Sequence, residues 1–328
     1  MTMQTLTARI SGVGKALPEK RLTNADLEKM VDTSDEWITK RVGIKERRIA
    51  AEGEYTSHLG SRAAADAVKM AGLPADEIDM IIVATSTPDT VYPSTACLIQ
   101  KAIGASKAGL LDISAACTGF VYGASLAWGM IRSGLMKNVL VVAAEVNTSV
   151  VNWKDRDTCI LFGDGAGAAL FTAHDASRKD GVLSMKLGGD GEFAPLLGLP
   201  NSGCRPFPEA AGRFIVMQGN EVFKQAVRNM AECGVSVLEQ AGLTADDVSL
   251  LIPHQANVRI IDAVATRLGV PAEKVFVNIE KYGNTSAATI PIALCEALEQ
   301  GRLKAGDVLV IDAFGAGLTW GAMAIRWC

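Results

Sequence analysis

The sequence predicts an α/β fold of two duplicated halves, stacked as five layers in the order α/β/α/β/α. Short apolar segments alternate with helix-like segments along the chain, which is typical of largely parallel sheets covered by helices. The chain also repeats itself: residues 71–82 resemble residues 241–252 at an offset of 170, and residues 139–142 resemble residues 308–311 at an offset of 169. We therefore predict two related sheets that share one central helical layer.

The repeat also divides the chain. A third match, residues 133–134 with residues 300–301, has an offset of 167, and the three matches keep the same order. The polar stretch 173–180 separates the two sets. We predict a first half over residues 1–175 and a second half over residues 176–328.

The bulk composition excludes several classes of protein. The 328 residues are 49% hydrophobic, carry a net charge of −4 and include seven dispersed cysteines without a Cys-x-x-Cys pair. This charge gives no reason to expect a nucleic-acid partner, and the cysteines favour a reducing compartment over a disulfide framework or a thiolate metal site. No secretory signal is apparent, and no apolar run approaches the roughly 20 residues that span a bilayer. We expect a cytoplasmic protein with no membrane partner and no bound metal.

Local signals give the elements of the first half in order. They predict a strand over 8–14, a helix capped by Thr23 or Asn24 and running to about Val31, a helix from Ser34 to Lys40, a helix over 57–70 ended by Gly72, and a strand over 79–84. By the repeat, each half should read strand, helix, strand, helix, strand, helix, strand, strand.

The stretch around Cys117 predicts a strand over 108–113, a tight turn of small residues and a helix over 124–131. Cys117 is therefore expected at or near a helix N-terminus, where the partial positive charge favours thiolate over thiol. Its small neighbours leave room for a bulky group to reach the sulfur. A buried structural cysteine is the alternative that this stretch alone leaves open.

The repeat relates Cys117 to two other residues. An offset of 167 maps Cys117 onto Asn284, and an offset of 170 maps Ala84 onto His254, which follows an apolar strand. All three residues are then expected at carboxyl ends of strands, where open α/β sheets bind ligands. The other histidines, His58 and His174, are expected to face solvent.

A cysteine, a histidine and an asparagine together support covalent acyl chemistry. In a peptidase-like site, the asparagine would orient the histidine and the histidine would deprotonate the thiol. Mirrored positions of Cys117 and Asn284 around one pocket favour a site in which both contact the substrate.

Eight short motifs span nearly the whole chain. They lie at residues 23–27, 32–38, 115–117, 162–167, 219–224, 253–257, 283–287 and 313–317. Each is a weak signal, but together they are specific. With them the chain resembles the β-ketoacyl-acyl carrier protein synthase III family, the initiating condensing enzymes of bacterial fatty acid synthesis within the thiolase-fold superfamily.

This resemblance implies a thiolase-like fold and a mechanism. Cys117 would attack an acyl-CoA thioester and become acylated, so that coenzyme A is a substrate and no cofactor is needed. His254 and Asn284 would donate hydrogen bonds to malonyl-acyl carrier protein and stabilise the enolate formed as carbon dioxide leaves. The backbone N–H groups of Cys117 and Ala316 would form the second oxyanion hole, although the family often has glycine at position 316.

The resemblance also implies binding residues. The coenzyme would contact Thr33, Trp37, Arg41, Arg156, Gly219, Phe223 and Asn257. The acyl pocket would be lined by Tyr92, Phe162, Met217 and Phe314, with Tyr92 entering the pocket of the second subunit of a homodimer. The acidic carrier protein would dock on Lys224, Arg228 and Arg259, although such a basic stripe is often only a solvated face.

Other functions remain as alternatives at this stage. A related condensing enzyme of secondary metabolism would use the same three residues with other acyl-CoAs. Degradative thiolases need a second cysteine, and Cys328 lies outside any turn motif, whereas elongating synthases need two active-site histidines. A non-catalytic acyl-binding partner would lack the nucleophile, which is present here.

Overall fold

A computed structural model describes residues 5–200 and 213–328, so that one of the seven cysteines, Cys204, lies outside the described residues. Its strands are β1 (Leu6–Ala16), β2 (Lys20–Thr23), β3 (Glu46–Ile49), β4 (Met80–Ala84), β5 (Gly109–Ile113), β6 (Asn138–Glu145), β7 (Gly165–Asp175), β8 (Gly181–Gly189), β9 (Leu197–Gly198), β10 (Val216–Met217), β11 (Leu250–Pro253), β12 (Val308–Gly315) and β13 (Thr319–Arg326). Its helices are α1 (Asn24–Leu27), α2 (Asp35–Val42), α3 (Thr56–Ala71), α4 (Thr95–Ile103), α5 (Gly119–Arg132), α6 (Arg156–Cys159), α7 (Gly219–Gln240), α8 (Val258–Leu268), α9 (Ile279–Tyr282) and α10 (Thr289–Glu299).

Two mixed sheets form the frame. The first has the strand order β1-β7-β6-β4-β5, with β4 parallel to both β5 and β6 and with β7 antiparallel to its neighbours. The second has the order β11-β12-β13-β8, in which only the β11–β12 pair is parallel. The sequence division at residue 175 falls between β7 and β8, and the assignment of two separate halves stays a prediction.

The helices form three layers around these sheets, as the clusters of buried side chains show. Helices α3 and α4 cover the outer face of the first sheet, and α7 and α8 cover the outer face of the second. Apolar residues of α5 and α10 share one core cluster with residues of both sheets. The predicted five-layer fold with two duplicated halves is therefore confirmed.

The repeat has one offset rather than three. The short 3₁₀ turns at Ala116–Thr118 and Ser286–Ala288 are 170 residues apart, as are the starts of α5 and α10 and those of β6 and β12. Because α10 is shorter than α5, the residues that directly follow the two helices are 167 rather than 170 residues apart. Asn284 is therefore the counterpart of Ser114, and the mapping of Cys117 onto Asn284 was wrong.

The second half also lacks one predicted strand. The counterpart of β5 is the one-turn helix α9, because side-chain hydrogen bonds hold this segment instead of a strand ladder. Asn278 N donates to Gln255 Oε1 over 3.1 Å, Asn278 Nδ2 donates to Glu296 Oε2 over 3.2 Å, and Tyr282 donates to the same carboxylate. Asn284 therefore follows a helical turn and not, as predicted, a strand.

The predicted starts of α1, α2 and α3 are confirmed, whereas α5 begins at Gly119 rather than at residue 124 and one predicted helix end is wrong. Thr23 caps α1 and Ser34 caps α2, while Gly72 ends α3 in the left-handed conformation at φ +64°. Helix α1 ends at Leu27 and does not reach Val31, because the Glu28 carboxylate accepts a hydrogen bond from Asp35 N over 2.7 Å and turns the chain into α2. Among the described helices, none is long and apolar enough to cross a bilayer.

The two histidines outside the predicted site, His58 and His174, differ in burial. His58 is exposed, as predicted. His174 is buried and hydrogen-bonded to Asp180, so its predicted exposure to solvent was wrong. It lies near the end of β7, opposite Thr7 of the antiparallel strand β1.

Candidate active site

A cavity of about 980 Å³ brings Cys117, His254 and Asn284 together. Cys117 lies in the turn between β5 and α5, and His254 directly follows β11. Asn284 enters from the loop after α9, where Phe162 pairs with it in an isolated parallel bridge. The three candidate residues therefore line one cavity, although they reach it from different kinds of element.

Strained backbone and close packing fix the turn that carries Cys117. Ala116 has φ +45°, an unfavourable conformation for a residue with a side chain. The Thr118 hydroxyl donates to Ala115 O over 2.6 Å and contacts Thr319 Oγ1 at 2.8 Å. A Cβ atom at Gly315 would lie 2.9 Å from Cys117 N, so only glycine fits there. The nucleophile turn is therefore held against the end of β12.

The thiol of Cys117 is not acidic in this environment. Its burial raises the pKa of Cys117 to about 12, and a hydrogen bond from Ser286 offsets only part of this rise. The direction of this pKa shift is opposite to the preference for thiolate that the sequence predicts at a helix N-terminus.

His254 is buried and has one polar partner for its ring. Its Nδ1 lies 2.6 Å from Thr289 Oγ1, while its Nε2 has no hydrogen-bond partner in the described part of the chain. The Thr289 hydroxyl has a second acceptor in Ser286 O at 3.1 Å, so it donates its single proton to Nδ1 only in the tautomer of His254 that carries its own proton on Nε2. Nε2 then carries the ring proton and is a free donor. Burial lowers the pKa of His254 to about 3, so the ring is neutral near pH 7.

Asn284 is oriented by its own loop. Its Oδ1 accepts a hydrogen bond from Ser286 N over 2.8 Å, which leaves the Nδ2 group as the available donor. Its backbone N–H donates to Leu161 O over 2.8 Å, and its carbonyl accepts from Gly163 N over 3.0 Å. The site therefore contains two neutral donors, His254 Nε2–H and Asn284 Nδ2–H.

Ala316 lines the same cavity in the turn after β12. Its carbonyl accepts from the Thr319 hydroxyl over 3.1 Å. Among the described residues, the non-glycine residues with positive φ are Ala116, Lys179 and Ser286. Ala316 is not one of them, so alanine in place of the glycine common in the family introduces no left-handed strain.

Three of the residues predicted to bind the coenzyme form a stacked group. The guanidinium carbons of Arg41 and Arg156 lie 5.1 and 5.0 Å from the centre of the Trp37 ring, within cation–π range. Arg41 also lines the cavity, whereas Trp37, Arg156 and Thr33 do not. The hydroxyl of Thr33 is buried and has no hydrogen-bond partner among the described residues.

Most of the remaining predicted pocket residues line the cavity. They are Phe162, Met217, Gly219, Phe223, Asn257 and Phe314. Tyr92 is 85% exposed and does not line the cavity of its own chain.

The predicted basic stripe is partly neutralised. Lys224 Nζ lies 2.7 Å from a Glu221 carboxylate oxygen, and Arg228 Nε lies 3.0 Å from a Glu232 oxygen. The guanidinium carbon of Arg259 lies 5.6 Å from the centre of the Phe223 ring. Lys224 and Arg259 line the cavity, whereas Arg228 lies outside it.

Three polar residues near the site were missed from the sequence. Ser286 and Thr289 lie in or beside the motif that contains Asn284, and that motif could have suggested them. Glu145 ends a buried strand and gives no sequence signal of its own, because its hydrogen-bond partners are about 60 residues away along the chain.

The sequence and the fold were compared with those of known proteins. The family described as 3-oxoacyl-[acyl-carrier-protein (ACP)] synthase III matches residues 111–191, and its C-terminal domain matches residues 238–327. A β-ketoacyl-[acyl-carrier-protein] synthase III of Roseiflexus castenholzii is 53% identical over 325 residues, covering 98% of each chain.

Solved structures give the same result. The crystal structure of 3-oxoacyl-[acyl-carrier-protein] synthase III from Aquifex aeolicus is 51% identical and has a TM-score of 0.92, over 98% of this chain and all of that one. The priming β-ketosynthase of the R1128 polyketide pathway is 37% identical with a TM-score of 0.92, over 98% of this chain and 96% of that one.

We predict that His254 does not titrate between pH 5 and pH 8. Its buried ring disfavours the charged form, whereas histidine in an unfolded chain titrates near about 6.5. Nitrogen NMR of labelled protein should show one neutral tautomer protonated at Nε2 over this range. The Thr289→Val variant should shift both ring signals toward a mixture of tautomers. A midpoint near pH 6.5 in the folded protein would contradict the burial argument.

Proposed function

The chain belongs to the 3-oxoacyl-[acyl-carrier-protein] synthase III family, and we propose from this membership that it joins an acyl-CoA primer to malonyl-acyl carrier protein. Acetyl-CoA is the expected primer, and the product starts a fatty acid chain. The observation that carries the proposal is the cavity in which Cys117 faces two neutral donors, His254 and Asn284. The coenzyme A thioester is a substrate, and the mechanism uses no further cofactor.

The first half-reaction is acyl transfer to Cys117. The sulfur attacks the thioester carbon, the tetrahedral intermediate collapses, and coenzyme A leaves. The negative charge on the oxygen of that intermediate needs donors that are already in place. The strained turn at Ala116 aims the sulfur into the cavity, which supports Cys117 as the nucleophile.

The second half-reaction requires stabilisation of an enolate. As the malonyl group loses carbon dioxide, negative charge develops on its thioester oxygen, and His254 Nε2–H and Asn284 Nδ2–H are suited to bind it. Because the charge appears only as the bond breaks, these donors act mainly on the transition state. The carbanion then attacks the acyl-cysteine, and the backbone N–H groups of Cys117 and Ala316 bind the second oxyanion.

We propose that the stacked side chains of Trp37, Arg41 and Arg156 bind the nucleotide end of the coenzyme. An indole face suits a purine base, and Arg41 and Arg156 supply charge for phosphate groups. Thr33 adds a hydroxyl that has no partner within the described chain. Gly219, Phe223 and Asn257 then line the path of the pantetheine arm toward Cys117.

Arg259 and Lys224 at the cavity wall, with Arg228 further along α7, are proposed to receive the acidic carrier protein. The ion pairs of Lys224 and Arg228 are exposed and therefore weak, so an acidic partner can replace them. A role in secondary metabolism is less favoured, because the relative from a polyketide pathway is 37% identical, whereas a β-ketoacyl-[acyl-carrier-protein] synthase III is 53% identical.

We propose that the protein is a cytoplasmic homodimer. Strand β5 is the open edge of the first sheet, and three of its apolar side chains, at positions 110, 111 and 113, are only half-buried. Val91 and Tyr92 are 81% and 85% exposed, and they lie shortly before α4 in the sequence. Apolar side chains on an open edge strand favour pairing with a second copy. Tyr92 would then limit the depth of the partner's acyl pocket.

We predict opposite effects for two alanine variants. Cys117→Ala should abolish acyl transfer but leave some malonyl decarboxylation, because the enolate donors remain. His254→Ala should keep S-acylation and slow decarboxylation by about 10²–10³, which is the usual effect of losing one oxyanion donor. Intact-protein mass after incubation with a panel of acyl-CoAs measures acylation, and labelled carbon dioxide release measures decarboxylation.

Two results would contradict this assignment. Loss of S-acylation in His254→Ala would make the histidine the general base of a peptidase-like site. Mass increases only with long or unusual acyl groups would favour the secondary-metabolism alternative.

We predict that Trp37→Ala raises KM for acetyl-CoA about tenfold and leaves kcat unchanged, because base stacking contributes about 1–3 kcal/mol. The thioester of pantetheine, which lacks the nucleotide, is the control substrate, and its KM should be the same for both proteins. Steady-state kinetics with the two substrates measures this. An equal rise in KM for both substrates would show that Trp37 maintains the shape of the cavity and does not bind the nucleotide.

We predict that the protein sediments at twice the mass of one chain. Tyr92→Ala should keep this mass and accept longer acyl-CoAs as primers, because the side chain that closes the partner's pocket is shortened. Sedimentation equilibrium and the primer panel measure the two effects. A monomer in solution would exclude any role of Tyr92 in a partner's pocket.

A further inference from the structure

Arg47 is a charged side chain in the interior of the protein. It lies in β3 and has an exposed fraction of 0%. Burial lowers the pKa of Arg47 to about 10, so the guanidinium stays charged near pH 7. All acceptors of its hydrogen bonds are neutral oxygen atoms, whereas arginine is almost never fully buried unless it is paired with an opposite charge. The reason for keeping this charge is therefore sought in the segments that the guanidinium connects.

The guanidinium of Arg47 joins two segments that are distant in sequence. Its Nη1 donates to Asn24 Oδ1 over 2.9 Å and to Leu22 O over 3.2 Å. Its Nη2 donates to Ile160 O over 2.7 Å. Ile160 directly follows α6, the one-turn helix that begins with Arg156. Because the nitrogens of the planar guanidinium have fixed relative positions, one side chain sets the distance between Asn24 and the end of α6.

Asn24 extends this connection to α2. Its Nδ2 donates to Asp35 Oδ1 over 2.8 Å and to Ile44 O over 2.7 Å. Asp35 is the first residue of α2, and Ile44 lies two residues beyond the last one, so a single amide group holds both ends of this helix. Both amide hydrogens of Asn24 are used in these bonds, and the amide oxygen accepts from Arg47.

Helices α2 and α6 carry the three side chains proposed to bind the nucleotide. Trp37 and Arg41 lie on α2, and Arg156 begins α6. The contact of Arg156 with the Trp37 ring at 5.0 Å therefore depends on the relative placement of the two helices. Arg156 Nη1 also donates to Asp32 O over 3.1 Å, but this bond is exposed and contributes little. The buried, charge-assisted bonds of Arg47 are the stronger constraint.

We propose that Arg47 is a positioning residue for coenzyme A. It holds α2 and α6 in the arrangement that gathers Trp37, Arg41 and Arg156 before the coenzyme arrives, so that binding does not have to order these side chains. This inference rests on the proposed acyl transfer from coenzyme A and concerns its nucleotide end only. The malonyl group arrives on a carrier protein with a pantetheine arm and no adenine nucleotide, so that half-reaction should not depend on Arg47.

The test is steady-state kinetics of Arg47→Met with acetyl-CoA and with the acetyl thioester of pantetheine. Methionine fills the buried site and removes the charge together with its donors. KM for acetyl-CoA should rise about tenfold or more, because one or two side chains must then be ordered during binding. The value of kcat, KM for the pantetheine thioester, and the release of labelled carbon dioxide from malonyl-acyl carrier protein should stay unchanged.

A double variant shows whether Arg47 acts through the stacked side chains. Trp37→Ala already removes most of what Arg47 positions. The combination of Arg47→Met with Trp37→Ala should therefore raise KM for acetyl-CoA little more than the larger of the two single changes. Independent effects would multiply to about a hundredfold, and that result would overturn the proposal.

Arg21→Met is the matched control. Arg21 lies in β2, the antiparallel partner of β3, and its guanidinium is 3.3 Å from a carboxylate oxygen of Glu46. The side chain of Arg21 is more than half exposed, and an exposed ion pair of this kind contributes little. This variant should keep the wild-type KM for both thioesters.

A second variant covers the case in which Arg47→Met does not fold. In Asn24→Asp the new carboxylate still accepts from Arg47 but cannot donate to Asp35 and Ile44, so α2 is released while the buried charge keeps a partner. It should raise KM for acetyl-CoA in the same selective way.

Each further outcome contradicts a different statement. A wild-type KM for acetyl-CoA in the folded variants would overturn the role of Arg47 and leave acyl transfer intact. An equal rise in KM for both thioesters would show that Arg47 only supports the fold, which also overturns the proposal. Wild-type protein that acetyl-CoA does not acylate would overturn the proposed function together with this inference.

Discussion

The contact between two backbone turns, one from each half of the chain, holds the site together. The Cα atom of Gly315 at the end of β12 lies so close to the turn of Cys117 that a methyl group there would meet Cys117 N at 2.9 Å. The Thr118 and Thr319 hydroxyls join the same two turns. Cys117 therefore belongs to the first half only by sequence, and its geometry depends on the packing of both sheets against the shared layer of α5 and α10.

Desolvation favours the neutral forms of the Cys117 thiol and the His254 ring. Desolvation raises the pKa of Cys117 to about 12, lowers that of His254 to about 3 and raises that of Glu145 to about 7. Fixed neutral donors in a region of low dielectric constant stabilise a charge when it develops and do not bind a counter-ion beforehand.

Much of the fold followed from the sequence because its signals are local. The capping residues Thr23 and Ser34 mark helix starts, and the repeat predicts two sheets with one shared layer. What failed depended on contacts between distant segments. Helix α1 stops where Glu28 meets Asp35, and α9 replaces a strand because Glu296 and Gln255 bind its residues. Likewise, the acidity expected for Cys117 from one helix end was reversed by burial, which is a property of the whole fold.

The replacement of a strand by α9 makes the two sheets unequal at their rims. The first sheet ends in the open strand β5, whereas the corresponding position in the second sheet is occupied by a helical turn that offers no ladder of N–H and C=O groups. When two copies pair through β5, this edge strand is no longer free on either molecule. In the proposed homodimer this pairing uses the same edge of both copies, so it closes with twofold symmetry and leaves no β5 edge free for a third copy.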